Sequence, residues 1–156
     1  MQIPFGVEQL VDESPTDSGR IMFAQQFQVL SIEAQLKLRE LHQYVEFCRS
    51  SLNEVSRDLT PFESGTGDLA NLQNASVGLK GIYLGADSWG FSDLYRIGME
   101  LQVLLLNSGG RIRERAFWNT LNRGLAMLSA LLEQCESDYR WKLAVADTLD
   151  SIDQLF

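Results

Sequence analysis

Apolar residues recur at three- and four-residue steps through Phe23, Phe27, Leu30, Ala34, Leu38, Leu41, Val45, Cys48, Leu52 and Val55. Side chains at that spacing share one helical face, so the pattern predicts a long helix from about residue 20 to 56. Arg57 to Gly67 (RDLTPFESGTG) reads as a loop from its Pro, Gly and Ser content. Asp68 is placed to cap a second helix with Leu69, Leu72, Ala75, Ser76, Leu79, Ile82 and Tyr83 on one face. A third follows Gly90-Phe91, with Ser92 as its cap, and runs through Leu94, Ile97, Leu101 and Leu104 to a stop at Asn107-Ser108-Gly109-Gly110. A fourth carries Phe117, Leu121, Leu125, Leu128, Leu132 and Cys135. After Ser137-Asp138 a fifth is expected, using Trp141, Val145, Leu149, Ile152 and Phe156. No alternating apolar/polar run predicts a strand.

Short connections between helices imply an all-α fold, an up-down antiparallel four-helix bundle with an additional C-terminal helix. Residues 20–156 are expected to form this single domain. Residues 1–19 are expected to be a partly flexible lead-in, since Asp12-Glu13-Ser14-Pro15-Thr16-Asp17-Ser18-Gly19 is turn chemistry.

Composition narrows the function. With 156 residues, 45% of them hydrophobic and 22% charged, the chain can bury one globular core. Thirteen basic against twenty-one acidic residues give a net charge of −8, which argues against a phosphate-backbone partner, so no nucleic acid is expected. No apolar run reaches the ~18 residues of a membrane span, and no membrane partner or signal peptide is expected. Two cysteines without Cys-x-x-Cys spacing point to a reducing compartment, and a cytoplasmic protein is expected. A Walker loop, His-Glu-x-x-His and Gly-x-Ser-x-Gly are all missing. With one histidine, a metal site would need carboxylates at most positions, so neither metal nor cofactor is expected. Asp87 and Asp93 supply carboxylates, but no acid, base and nucleophile set assembles around them, and no enzyme is expected.

The stretch ASVGLKGIYLGADSWGFSDLYRIGMELQVLL, Ala75 to Leu105, resembles the histidine phosphotransfer (HPt) domain, in the form found at the start of the chemotaxis kinase CheA. That family carries His-x-[Leu/Ile]-Lys-Gly on one helix and a Gly-Phe turn opening the next. Leu79-Lys80-Gly81 stands for the first, Gly90-Phe91-Ser92-Asp93-Leu94 for the second, and Met99-Glu100 falls where the family often has an acidic residue. Two departures stand out. Val77 occupies the position of the phosphorylated histidine, and valine has no nucleophilic nitrogen to accept a phosphoryl group. The segment between Lys80 and the Gly-Phe turn is also about three residues longer, nearly one helical turn.

At ~100° per residue, Ala70, Gln73, Asn74, Val77, Lys80, Gly81 and Leu84 fall on one face of the second helix, away from Leu72, Ser76, Leu79 and Tyr83. The resemblance implies that this face binds a protein partner, a response-regulator receiver domain or a histidine kinase, without carrying phosphate. Gly81 would leave room for the partner, and Lys80 stands where the family neutralises phosphate charge.

Blander roles exist for the same residues. Gly78, Gly81 and Gly85 would allow close helix packing, with Val77 buried and Lys80 merely solvated. His42 is expected at the core edge, paired to Glu46, rather than as a relocated phosphoacceptor. Arg111, Arg113, Arg115 and Arg123 crowd the start of the fourth helix, where acidic groups are favoured. They fit an anion or acidic-partner site, or ordinary pairing with Glu114. Trp89, Trp118 and Trp141 are all expected in or partly in the core, and Trp89, in the extra segment before Gly90, is the one of the three that could also touch a partner. The rival to a pseudo-HPt is a structural oligomerisation module, a homodimer through Val29, Ile32, Leu36 and Phe47.

Overall fold

The computed structural model describes residues 30–155. Its regular elements are all helical: α1 (Ile32–Glu63), α2 (Leu69–Trp89), α3 (Ser92–Leu106), a 3-10 turn (Gly109–Arg113) and α4 (Arg115–Asp153). No strand occurs among the described residues. The expected lead-in and residues 20–29 of the expected first helix lie outside them.

Three boundaries differ from the sequence expectation. α1 begins at Ile32 instead of running unbroken from about residue 20, because Leu30 and Ser31 are not helical. Ser31 caps the helix by accepting the Ala34 N–H on its Oγ at 3.2 Å. At its other end α1 passes through Pro61 to Glu63, where a loop was expected. Pro61 removes one ladder bond and crowds the carbonyl four residues before it, a cost that packing of the last turn must offset. Buried Leu59 and the Phe62 ring, stacked 5.7 Å from Trp118, hold that last turn in place. The expected fourth and fifth helices are one: α4 is continuous through Ser137-Asp138. Neither residue breaks a helix as Gly or Pro would, and both are half-buried there.

The described chain divides into two compact units, residues 30–41 with 137–155 and residues 42–136. In the first, the Ser31 N–H donates to Asp147 Oδ2 at 3.3 Å, and Ala34 and Ala144 are buried. Of the C-terminal stripe, Trp141 is half-buried as expected and Phe156 lies outside the described residues, but the middle of the stripe is not core. Val145, Leu149 and Ile152 are all exposed, as are Ile32 and Leu36 of α1.

The second unit holds most of the core. The α1 stripe is buried as its spacing implied, with Val45, Cys48 and Val55 fully enclosed. Leu79 and Ile82 of α2, Leu94 of α3, and Leu121, Leu128 and Leu132 of α4 are buried as completely. Each such side chain contributes about 1.5–3 kcal/mol relative to exposure. α1 and α4 run antiparallel here: Phe62 stacks on Trp118, and His42 Nδ1 lies 3.7 Å from Glu136 Oε2.

α1 and α2 also run antiparallel, through a seam of glycines. Gly78 faces Val55, Gly81 faces Phe47, and Gly85 faces Tyr44. Their missing side chains let the two backbones approach closely, which offsets the ~1 kcal/mol each costs in helix propensity.

Candidate functional site

α2 is fixed at both ends and on both flanks. Asp68 and Asn71 form a reciprocal capping box: the Asn71 N–H donates to Asp68 Oδ1 at 3.1 Å and the Asp68 N–H to Asn71 Oδ1 at 3.0 Å. At the far end Gly90 takes φ +75°, a left-handed conformation that favours glycine, and the Phe91 N–H reaches back to Ala86 O at 2.9 Å. This is the Gly-Phe turn of the sequence. Ser92 does not cap α3, however; Phe91 holds the cap position and no side chain bonds there.

Towards α3, the Tyr83 hydroxyl donates to Gln102 Oε1 at 2.8 Å, and Gln102 Nε2 donates to Ser76 O at 3.2 Å. Towards α1, the Tyr44 hydroxyl donates to Ile82 O at 2.8 Å. Burial pushes the Tyr44 phenol well above its ordinary value, with the Cys48 thiol beside it adding to the rise. The same burial pushes the Cys48 thiol up to about 11, against a lowering contact from Tyr44. This polar clamp sits on the core side and fixes the rotation of α2.

That rotation turns Val77 outwards, 70% exposed. Ala70, Gln73, Asn74, Lys80 and Leu84 are exposed with it, so six of the seven face residues lie on the surface. Gly81 is the exception. It is half-buried, and a Cβ built on it would stand 3.2 Å from the Phe47 ring. The room beside it is taken by α1. Leu69, expected on the core face, is exposed instead, because it lies in the first turn beyond the reach of the seam.

Val77, Gly78 and Gly81 line one side of a groove of about 610 Å³, and Phe47, Glu54 and Asp58 of α1 line the other. α1's share of the surface was hidden in the sequence, since its partner side chains come from a second helix. The spacing of Gly78, Gly81 and Gly85 signals a close helix contact, but it does not say which α1 residues meet it. Lys80 has no ion pair among the described residues. The groove can hold apolar and polar groups of a partner, but Val77 gives it no nucleophile.

The other sequence candidates lie elsewhere. His42 Nδ1 lies 3.7 Å from Glu136 Oε2 of α4, beyond hydrogen-bond distance, while Glu46 bonds Arg49 at 2.7 Å. Trp89 is half-buried, stacked on Phe91 at 6.2 Å and beside Tyr44 at 6.3 Å, so it packs within an aromatic cluster. Trp118 is half-buried against Phe117 at 5.1 Å. No group of three His, Cys, Asp or Glu among the described residues is placed to hold a metal ion. No helix among them is long and apolar enough to cross a membrane. Comparison with protein families, characterised proteins and solved structures finds no match to this chain.

Proposed function

We propose that residues 42–136 form an up-down antiparallel four-helix bundle of HPt type. In this proposal the bundle binds a response-regulator receiver domain or a histidine kinase through the Val77 face and carries no phosphate. The exposure of Val77 is the chief support. An aliphatic side chain 70% open to solvent, opposite the core, suits the position that the sequence resemblance assigns to the histidine of an HPt domain. Lys80 lies one turn further along α2, exposed, and the antiparallel α1–α2 and α1–α4 contacts suit the bundle. Such a protein competes with true phosphotransfer domains, or acts as an adaptor, by occupying their partner.

The test is binding to a panel of receiver domains and kinases, followed by incubation with kinase and radiolabelled ATP. Expected are saturable binding to at least one panel member, loss of that binding in Val77→Glu with the helical content kept, and no label on the wild-type chain. Val77→His, which restores an imidazole nucleophile, is expected to gain acid-labile label. Acid-labile phosphate on His42 of the wild type, or no binding across the panel, overturns the proposal.

A structural oligomerisation module is the second reading, favoured by the exposed Ile32, Leu36, Val145, Leu149 and Ile152 of the first unit. Molecular mass measured over a concentration series separates the two. A monomer throughout removes the second.

A further inference from the structure

The connection from α3 to α4 breaks a local electrostatic rule. Arg111, Arg113 and Arg115 project into solvent within five residues, and Arg123 lies two turns further on, also exposed. These are four of only thirteen basic residues in a chain with twenty-one acidic ones. Like charges at this density repel, and the positive end of the α4 dipole adds to the cost. Pairing with Glu114 would relieve it. Yet no ion pair joins any of the four to a carboxylate among the described residues.

The turn is nevertheless held in one shape. Gly109, with φ +46°, and Gly110 give it freedom. The Trp118 indole N–H then donates to Ile112 O at 2.6 Å, and Trp118 itself is anchored against Phe62 and Phe117. Backbone bonds from Arg111 N–H to Ser108 O and from Glu114 N–H to Arg111 O, each 2.8 Å, complete the 3-10 geometry. Three guanidinium groups are therefore presented from a preorganised backbone, which lowers the ordering cost of binding. A feature that violates local preference with no ion pair to compensate it among the described residues is well suited to compensation by a partner.

We propose that the Arg111–Arg113–Arg115 turn is a docking site for an acidic segment of a partner protein, a short run of Asp and Glu side chains. All four cations are arginines, whose planar fork matches carboxylates in bidentate fashion, whereas a lysine ammonium is a point charge. Complementarity also favours a short peptide over an anionic membrane. Outside the four arginines the chain keeps nine basic against twenty-one acidic residues, and an extended anionic sheet would repel them. A peptide reaches the turn alone. This site is independent of the Val77 face.

The test uses the full chain and a fluorescein-labelled hexaglutamate peptide, followed by anisotropy at about 50 mM and about 0.5 M salt. Saturable binding at low salt, lost at high salt, is expected. The triple variant Arg111→Gln/Arg113→Gln/Arg115→Gln is expected to weaken it about tenfold or more, while the same three changed to Lys lose several-fold. A control with equal charge change at exposed positions, Lys37→Gln/Arg39→Gln/Arg96→Gln, is expected to stay within about twofold. Circular dichroism checks the fold of each variant. Three results overturn the proposal: no saturable binding at low salt, equal loss in the control, or sedimentation with phosphatidylserine/phosphatidylcholine vesicles without peptide binding.

Discussion

A Cβ placed on Gly78 would stand 2.7 Å from Cγ2 of Val55, and Val55 is fully buried and has nowhere to move. Gly78→Ala therefore gains the ~1 kcal/mol of helix propensity and loses about 1–3 kcal/mol to overpacking. Net destabilisation is expected in urea unfolding, relieved in the double variant with Val55→Ala. Gly81→Ala is the contrast: its neighbour is the half-exposed Phe47 ring, which can swing aside, so that variant should match or exceed the wild type.

Tyr44 holds α2 through one bond to a backbone carbonyl, Ile82 O, across a part-buried interface. Tyr44→Phe keeps the ring contacts with Trp89 and Phe91 and removes only the hydroxyl. A loss of about 0.5–1.5 kcal/mol is expected by thermal or urea unfolding. Amide exchange should speed up along α2.

The Asp68–Asn71 box should be separable from the core. Asp68→Ala removes the acceptor for the Asn71 N–H, and a loss of about 1 kcal/mol is expected. Asp68→Asn should recover most of it, since an amide oxygen also accepts.

Alkali should destabilise the fold through the buried Tyr44–Cys48 pair. The Cys48 thiol rises from an ordinary value of 9.0 to about 11 on folding. A raised acid favours the folded state fully below pH 9, and that contribution is lost as pH climbs towards 11, because the unfolded chain releases its proton first. Tyr44 shifts in the same direction and extends the slope. Unfolding midpoints measured from pH 8 to 11 should fall, and less steeply in Cys48→Ala. At neutral pH a thiol reagent should modify half-buried Cys135 well before buried Cys48.

How much of this was legible in the chain depends on whether the signal was local. The buried α1 stripe, the Asp68 cap and the Gly90-Phe91 turn follow from periodicity and capping chemistry alone. Helix ends were harder where packing overrode composition: Phe62 on Trp118 carries α1 past Pro61, and α4 ignores Ser137-Asp138. Val77 could be placed on the outer face of α2 by its angle to Leu79 and Tyr83. Phe47, opposite Gly81, could not, because nothing in α1 shows which of its residues will meet a glycine. The partner of His42 was misread for a similar reason: Glu46 was the nearer carboxylate along the helix, while Glu136 is nearer in space.

The isopropyl group of Val77 has no lone pair to offer, so this side chain itself forms no covalent bond with a molecule that settles over it. Occupancy of the face would be governed by abundance and dissociation rate alone. Under the proposed binding role such a surface would work stoichiometrically: its influence would scale with the number of copies made, and synthesis and turnover would become the means of adjusting it.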